Sequence, residues 1–191
     1  MASYKTLQNK IIYVDPGQCL GCHSCELACA LAHSDAADVH AMIHVPGLFS
    51  RTHVVAVDGA CVPMQCRQCE DAPCTKVCPT GAMRQAEGKG SVSVNEQACI
   101  GCKLCTMVCP FGVVTVISRP VADRRTNGGV ATKCDLCADW RKAQGKNQTA
   151  CQEACPTMAI RLVDLAEYRL ALVKARAAEI AAAHRSIRIG L

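Results

Sequence analysis

The chain has 191 residues, enough for one compact domain or two small ones, and it contains 17 cysteines but only 3% aromatic residues. This composition excludes a conventional core of large aromatic side chains and makes the cysteines the candidates for stapling the fold. The formal charge of +5 would suit an acidic surface or nucleic acid as a partner, provided that the cysteines carry no charged group.

The first ten residues are polar and contain no signal-peptide pattern, so a reducing cytoplasm is the expected compartment. Dense cysteine in such a compartment favours metal binding over disulfides. No stretch reaches the roughly 18 uncharged apolar residues of a membrane span, so none is expected.

The N-terminal half predicts two strands and a helix. The β-branched residues 10–14 predict a strand, and residues 26–33 predict a short helix. A second strand is predicted at residues 52–57, where Asp58-Gly59 is a strong turn signal. A hairpin is therefore expected to lead into the cysteines that follow.

The C-terminal half predicts further strands. Residues 91–94 and 113–117 are expected to pair with each other as two short strands, and residues 119–133 to form a basic connection. Residues 159–163 predict a strand that pairs with residues 10–14, so the two ends of a domain spanning residues 1–163 should meet.

A last helix is predicted from Asp164 to about residue 183, because Asp164 and Glu167 have a spacing close to a capping box. Charged residues spread through it exclude a membrane span. We expect this segment, the helix and tail of residues 164–191, to dock on a partner subunit or on a second copy of the chain.

Sixteen of the 17 cysteines fall into four runs of related spacing, three of which end in Cys-Pro. Cys99–Pro110 matches the bacterial ferredoxin pattern, in which three cysteines bind one [4Fe-4S] cluster and the fourth binds another. Four runs predict four clusters, whereas structural zinc usually joins two cysteine pairs. The runs are Cys19, Cys22, Cys25, Cys29; Cys66, Cys69, Cys74, Cys78; Cys99, Cys102, Cys105, Cys109; and Cys134, Cys137, Cys151, Cys155.

The exchange of fourth cysteines between runs predicts the ligand sets. The second and third runs are neighbours and should form an inner pair within residues 60–118, while the terminal strands bring the first and fourth runs together as an outer pair. The expected sets are Cys66, Cys69, Cys74 with Cys109; Cys99, Cys102, Cys105 with Cys78; Cys19, Cys22, Cys25 with Cys155; and Cys134, Cys137, Cys151 with Cys29.

Bound clusters would reverse the charge of the protein. An oxidised cluster with its four thiolates carries about −2, so four of them change the charge from +5 to about −3. A nucleic-acid partner is therefore not expected. A zinc-stabilised binding module, which would keep its basic surface, is the remote alternative.

The four runs, together with Lys133-Cys134-Asp-Leu-Cys137 and Cys78-Pro-Thr-Gly-Ala, resemble the iron–sulfur electron-transfer subunits related to the dimethyl sulfoxide reductase B subunit. The resemblance covers about residues 10–163. It implies an α+β fold with two ferredoxin-like modules, short strands, cluster-binding loops and four [4Fe-4S] clusters. Cys155-Pro-Thr-Met departs from the usual Cys-Pro-Thr-Gly of this family.

Cys25-Glu-Leu-Ala-Cys29 and His33-Ser34 look like the subgroup that serves carbon monoxide dehydrogenases, hydrogenases and tungsten aldehyde oxidoreductases. The resemblance implies a cytoplasmic, non-catalytic subunit that relays single electrons between a catalytic subunit and an acceptor, which could be a flavin subunit. A tungsten or molybdenum aldehyde oxidoreductase is the favoured partner. Carbon monoxide dehydrogenase or hydrogenase is the alternative. No catalytic constellation or nucleotide-binding motif is recognisable.

A few residues outside the runs have expected functions. Lys103, Arg67 and His23 are candidates for raising cluster potentials. Cys61, the odd cysteine, is expected to be a small buried hydrophobic side chain. The histidines have no ligand spacing and are expected to be surface or satisfied polar residues.

Overall fold

The computed structural model describes residues 9–45, 48–87, 90–118 and 129–186 of the chain. Within these ranges, short strands and helices alternate, which is the α+β composition expected from the sequence. The strands are β1 Lys10–Val14, β2 Thr52–Val57, β3 Ala60–Gln65, β4 Met83–Gln85, β5 Val92–Val94, β6 Thr115–Ser118, β7 Gly129–Thr132 and β8 Ile160–Asp164. The helices are α1 Ser24–Ala32, α2 Val39–Met42, α3 Pro73–Lys76, α4 Leu104–Met107, α5 Ala138–Gln144, α6 Ala150–Glu153 and α7 Leu165–Ser186.

The strands of the described ranges pair as two-stranded antiparallel sheets. β1 pairs with β8, with Ile12 opposite Leu162, so the predicted pairing of residues 10–14 with the strand near residue 160 is confirmed. β2 and β3 form the predicted hairpin around Asp58 and Gly59, both of which have positive φ. Because an isolated two-stranded sheet is only marginally stable, each pair depends on what packs against it.

The predicted pairing of residues 91–94 with residues 113–117 is wrong. β5 pairs instead with β4, and β6 pairs with β7. Closing the short loop between β4 and β5 costs less chain entropy than closing the whole third cysteine run. Residues 129–132, expected within a basic connection, form β7, while residues 119–128 of that connection lie outside the described residues.

Cysteines take the place of aromatic residues in the core. One cluster of buried side chains contains Ile12 and Ile160, which are 2% and 1% exposed, packed with cysteines of the first, second and fourth runs. A second cluster contains Val92 and Val114 packed with cysteines of the second and third runs. The core therefore surrounds the cysteine runs, as the composition predicted.

The C-terminal helix begins where the sequence predicted. The Asp164 Oδ1 atom accepts hydrogen bonds from the backbone N–H groups of Ala166 and Glu167, at 2.9 and 3.2 Å. A bidentate ion pair between Arg169 and Glu70, at 2.8 and 3.0 Å, holds the first turns against the second cysteine run. From residue 170 to residue 184 every side chain is exposed.

None of the helices in the described ranges combines the length and the hydropathy needed to span a lipid bilayer.

Replacing Ile160 by alanine should destabilise the protein by about 2–5 kcal/mol, because it leaves a cavity beside Ile12 under β1 and β8. Ile43 is 79% exposed, so Ile43→Ala is the matched control and should leave the urea midpoint nearly unchanged. Unfolding followed by circular dichroism measures both variants. Equal midpoints for the two variants would contradict a stabilising function for the β1–β8 strand pair.

Candidate metal centres

The first and third cysteine runs have the same backbone conformation. Each is preceded by a 3₁₀ turn in which the side chain of Asp15 or Asn95 accepts a hydrogen bond from the backbone N–H two residues later, at 3.0 or 3.2 Å. Gly21 and Gly101 then adopt φ of 66° and 68°, in the left-handed region that favours glycine. The two loops therefore turn in the same way and direct their cysteines alike.

Three cavities are each lined by three cysteines of one run and a fourth from another run. In each case the fourth cysteine is the one expected from the sequence. The sets are Cys99, Cys102, Cys105 and Cys78; Cys19, Cys22, Cys25 and Cys155; and Cys66, Cys69, Cys74 and Cys109.

The remaining four cysteines, Cys29, Cys134, Cys137 and Cys151, are all buried, with between 4% and 8% of each residue exposed. Helices α1 and α6, which carry Cys29 and Cys151, pack against each other. Burial raises the pKa of Cys137 to about 12, and the nearby Cys151 and Cys29 add to the increase. Cys134 and Cys137 therefore both lie close enough to Cys29 and Cys151 for electrostatic interaction.

The donor sets fit [4Fe-4S] clusters. All 17 cysteines are free thiols. Burial is the main cause that raises the pKa of Cys25 to about 12 and those of Cys74 and Cys151 to about 11. Because thiolates are the iron ligands, the protein alone keeps these groups protonated, and a bound cluster must displace the protons. Such buried, convergent thiols are typical of a metal centre.

The Cys-Pro-Thr segments stabilise the thiolate form of their cysteine. Burial would raise the pKa of Cys155, but the hydroxyl of Thr157, 3.7 Å from Cys155 Sγ, and nearby backbone N–H groups lower it. The pKa of Cys78 is lowered against burial in the same way, by the Met83 N–H and by a threonine hydroxyl. In two runs, nearby hydroxyl and N–H groups thus favour the thiolate form of the fourth cysteine, which is the one expected to join the triplet of another run.

Met158 replaces the usual glycine of the Cys-Pro-Thr-Gly segment without changing the backbone. Its φ is 55°, close to the 62° of Gly81 in the second run. A left-handed conformation costs a residue with a Cβ atom roughly 1–2 kcal/mol. The fourth run therefore keeps the backbone conformation of the second run at a cost that the rest of the fold must offset.

Backbone N–H groups of the described residues donate hydrogen bonds to several cysteine sulfurs. The Ala131 N–H on β7 donates to Cys99 Sγ at 3.4 Å, and the Arg51 N–H donates to Cys29 Sγ at 3.3 Å. Met83 donates to Cys78 and Leu136 to Cys134, both at 3.4 Å. Hydrogen bonds to ligand sulfurs are among the features that set cluster potentials.

His33 is half-buried, and both of its ring nitrogens have polar partners. Its Nδ1 atom lies 2.7 Å from the Cys29 carbonyl oxygen, and its Nε2 atom lies 3.0 Å from an Asp135 carboxylate oxygen. Burial opposes the charged ring, but the hydrogen bonds to Asp135 and Cys29 raise the pKa of His33 to about 10. Arg51 binds the other Asp135 oxygen at 2.7 Å. His33 and Arg51 thus place two cationic side chains beside Cys29, a member of the fully buried cysteine set.

The candidates for tuning cluster potentials are placed differently from one another. Lys103 is exposed at the rim of the cavity lined by Cys99, and the exposed ring of His23 forms a 3.3 Å ion pair with Glu26. Arg67 is half-buried at the cavity lined by Cys66. Solvent screens the two exposed groups, so their effect on a cluster should be small.

Cys61 is half-buried on β3 rather than fully buried as expected. A Cβ atom added to Gly21 would lie 2.7 Å from Cys61 Sγ, so this thiol packs against the first cysteine loop. Its contact is one of packing, and it does not line the three cavities described above.

Several side chains that contact the cysteines carry only a weak sequence signal. His33, Thr80, Thr157 and Lys133 each lie within four residues of a cysteine, and this closeness is the sign by which a sequence could indicate them. Gln68, buried between Cys66 and Cys69, is a further example.

Comparison with known proteins places the chain among iron–sulfur proteins. A family model described as a 4Fe-4S dicluster domain matches residues 57–165. A protein of Rhodospirillum rubrum named iron-sulfur protein is 60% identical over 185 residues, which cover 95% of this chain and 96% of that protein. The electron transport protein HydN of Escherichia coli K12 is 39% identical, covering 82% of this chain and 89% of HydN. Formate hydrogenlyase subunit 2 of the same organism is 32% identical, covering 82% of each.

Gly101→Ala should disrupt the third cysteine loop more than an equivalent change elsewhere. The added Cβ atom would lie 2.6 Å from the Gly129 carbonyl oxygen, so β7 would have to move away. Gly145 has a similar φ of 61° and nothing within 4 Å, so Gly145→Ala reports the conformational cost alone, roughly 1–2 kcal/mol. Urea midpoints and iron content per chain measure the difference. Equal effects would contradict the close packing of this loop on β7.

Proposed function

Since the chain belongs to the family of 4Fe-4S dicluster proteins and is an iron–sulfur electron-transfer protein, we propose that it carries four [4Fe-4S] clusters which relay single electrons. The observation that carries this proposal is the position of the fourth cysteine beside each triplet. Cys78, for example, lies with Cys99, Cys102 and Cys105 around one cavity. Each set then has the four thiolates of a complete cluster.

The proposed ligand sets are those expected from the sequence, with an inner pair from the second and third runs and an outer pair from the first and fourth. Each set is complete in cysteine, so it leaves no open coordination position of the kind that a catalytic cluster needs. The chain therefore acts as a carrier of electrons without a substrate of its own.

Burial supports an order for the four sets. Cys74 packs in the same core cluster as Cys99, whereas Cys66 packs in the core cluster of Cys134 and Cys25. The set of Cys66 and Cys74 is therefore next to the set of Cys99, and the sets of Cys134 and Cys25 follow on its other side.

Exposure supports the same order. Cys22 and Cys102 are the two exposed members of the sixteen grouped cysteines, and they belong to the first and last sets of this series. Exposed apolar residues accompany each of them, including Leu20 at 69% and Met107 at 80%. We propose that redox partners approach the chain at these two ends.

One partner is proposed to be a catalytic oxidoreductase subunit, with a second redox protein, such as a flavin subunit, at the other end. The sequence resemblance supports a tungsten or molybdenum aldehyde oxidoreductase. The relative named formate hydrogenlyase subunit 2 supports the alternative, a hydrogenase-linked partner. A cytoplasmic location follows from the proposed reducing environment of the clusters.

Iron analysis with cysteine variants tests the clusters and their ligand sets. The purified chain should contain about sixteen iron and sixteen sulfide per molecule, with an absorbance that bleaches on reduction. Cys155→Ser and Cys22→Ser belong to one proposed set, so the double variant should lose no more iron than either single variant. Cys155→Ser with Cys137→Ser should lose iron from two sets.

Cys61→Ser is the control and should keep the full iron content. Additive iron loss for Cys155 and Cys22 would overturn the pairing of the runs. A colourless protein that contains only zinc would overturn the electron-transfer proposal and favour the binding module.

Purification of the tagged chain from its own cell tests the partners and the C-terminal helix. Leu172, Val173 and Ile180 are 45%, 57% and 64% exposed on α7. Changing the three to glutamine should abolish co-purification of the catalytic subunit and leave iron content unchanged. Lys174→Gln on the same exposed helix is the control.

Unchanged co-purification would show that the partner binds elsewhere. A chain that purifies alone as a dimer, and becomes monomeric in the triple variant, would assign α7 to self-association.

A further inference from the structure

A buried lysine lies between the inner and outer cysteine runs. Lys133 is only 2% exposed, and its Nζ atom donates hydrogen bonds to the backbone carbonyl oxygens of Val92 and Cys134, the latter at 3.0 Å. Lysine is almost never fully buried unless it is paired. The position of Lys133 therefore calls for a compensating negative charge.

No carboxylate within the described residues forms an ion pair with Lys133. The carbonyl oxygens that it binds carry only partial charges. Burying an ammonium group without a full counter-charge is strongly unfavourable. Lys133 lines a cavity with Glu96, Asp135 and Asp139, and thiolates of the cysteine runs on either side are the other groups able to supply that charge.

The side chain of Gln68 binds the backbone of the same two residues as Lys133, namely Val92 and Cys134. The Val92 N–H donates to Gln68 Oε1 at 2.8 Å, and Gln68 Nε2 donates to the Cys134 carbonyl oxygen at 2.9 Å. Gln68 lies between Cys66 and Cys69 in the sequence, and Lys133 precedes Cys134. These hydrogen bonds thus connect the loop of the second run directly to the loop of the fourth run.

The thiols of the second run are within electrostatic reach of Lys133. Val92, whose carbonyl oxygen Lys133 binds, lines the cavity of Cys66, Cys69 and Cys74. The positive charge therefore favours the negative form of these groups. In a buried environment this attraction is stronger than at the surface, and salt screens it less.

Resting on the proposed four-cluster function, we propose that Lys133 is the internal counter-charge of the two middle clusters and raises their reduction potentials. Each reduction adds one negative charge to a cluster, and a fixed positive charge nearby stabilises the reduced form more than the oxidised form. Lys103 and His23, at the exposed ends, lack this buried environment. Lys133 therefore makes the middle of the relay easier to reduce than it would otherwise be.

Redox titration of the loaded protein, followed by electron paramagnetic resonance, tests this assignment. Lys133→Met keeps the length of the side chain and removes its charge. This substitution should lower the reduction potential of at least one cluster by 59 mV or more, which is a tenfold change in the one-electron reduction equilibrium. Lys133→Arg should restore most of the potential. Lys142→Met removes one exposed charge from α5 and should leave all potentials unchanged.

Gln68→Glu provides a second test should Lys133→Met fail to fold. It places a carboxylate of the same size beside Lys133 and should lower the potentials of the same clusters. Potentials that stay unchanged in whichever of the two variants retains full iron would overturn the proposal. A wild-type chain with clearly fewer than about sixteen iron atoms would instead overturn the four-cluster function on which this proposal rests.

Discussion

In the proposed ligand sets each cysteine triplet is completed by a cysteine from another run, and this is the constraint on which the fold would depend. Separate two-stranded sheets and helices of four residues have little stability of their own. In the proposed ligand sets, iron replaces the packing that large aromatic side chains would provide. Folding and metal binding are then one equilibrium, as in other small metal-stapled domains.

The same constraint explains where the strands lie. β1 pairs with β8, which brings the segment before the first run beside the segment after the fourth. β7 presents the Ala131 N–H to Cys99, so a strand that contributes no cysteine still supports a candidate site. The sheets therefore fix the positions of the cysteine loops relative to one another.

Local sequence signals predicted much of this arrangement, and the failures have physical causes. The cysteine spacing, the Asp58-Gly59 turn and the cap at Asp164 each act over a few residues, so they can be recognised in the sequence. The strands that pair with β5 and β6 could not be recognised in the sequence, because β4 has only three residues and β7 lies in a glycine-containing segment. The motif around Cys134 includes Lys133, but only the folded chain shows that this lysine is buried.

The full burial of Cys29, Cys134, Cys137 and Cys151 has a consequence for how the protein is made. Cys29 emerges early during synthesis, whereas its three proposed companions are among the last cysteines to be translated. The inner pair is complete once residue 109 has been made, because all eight of its cysteines lie between residues 66 and 109. Insertion of the proposed clusters should therefore proceed from the middle of the chain outward, and the proposed cluster at Cys29 should be assembled before β1 and β8 pair.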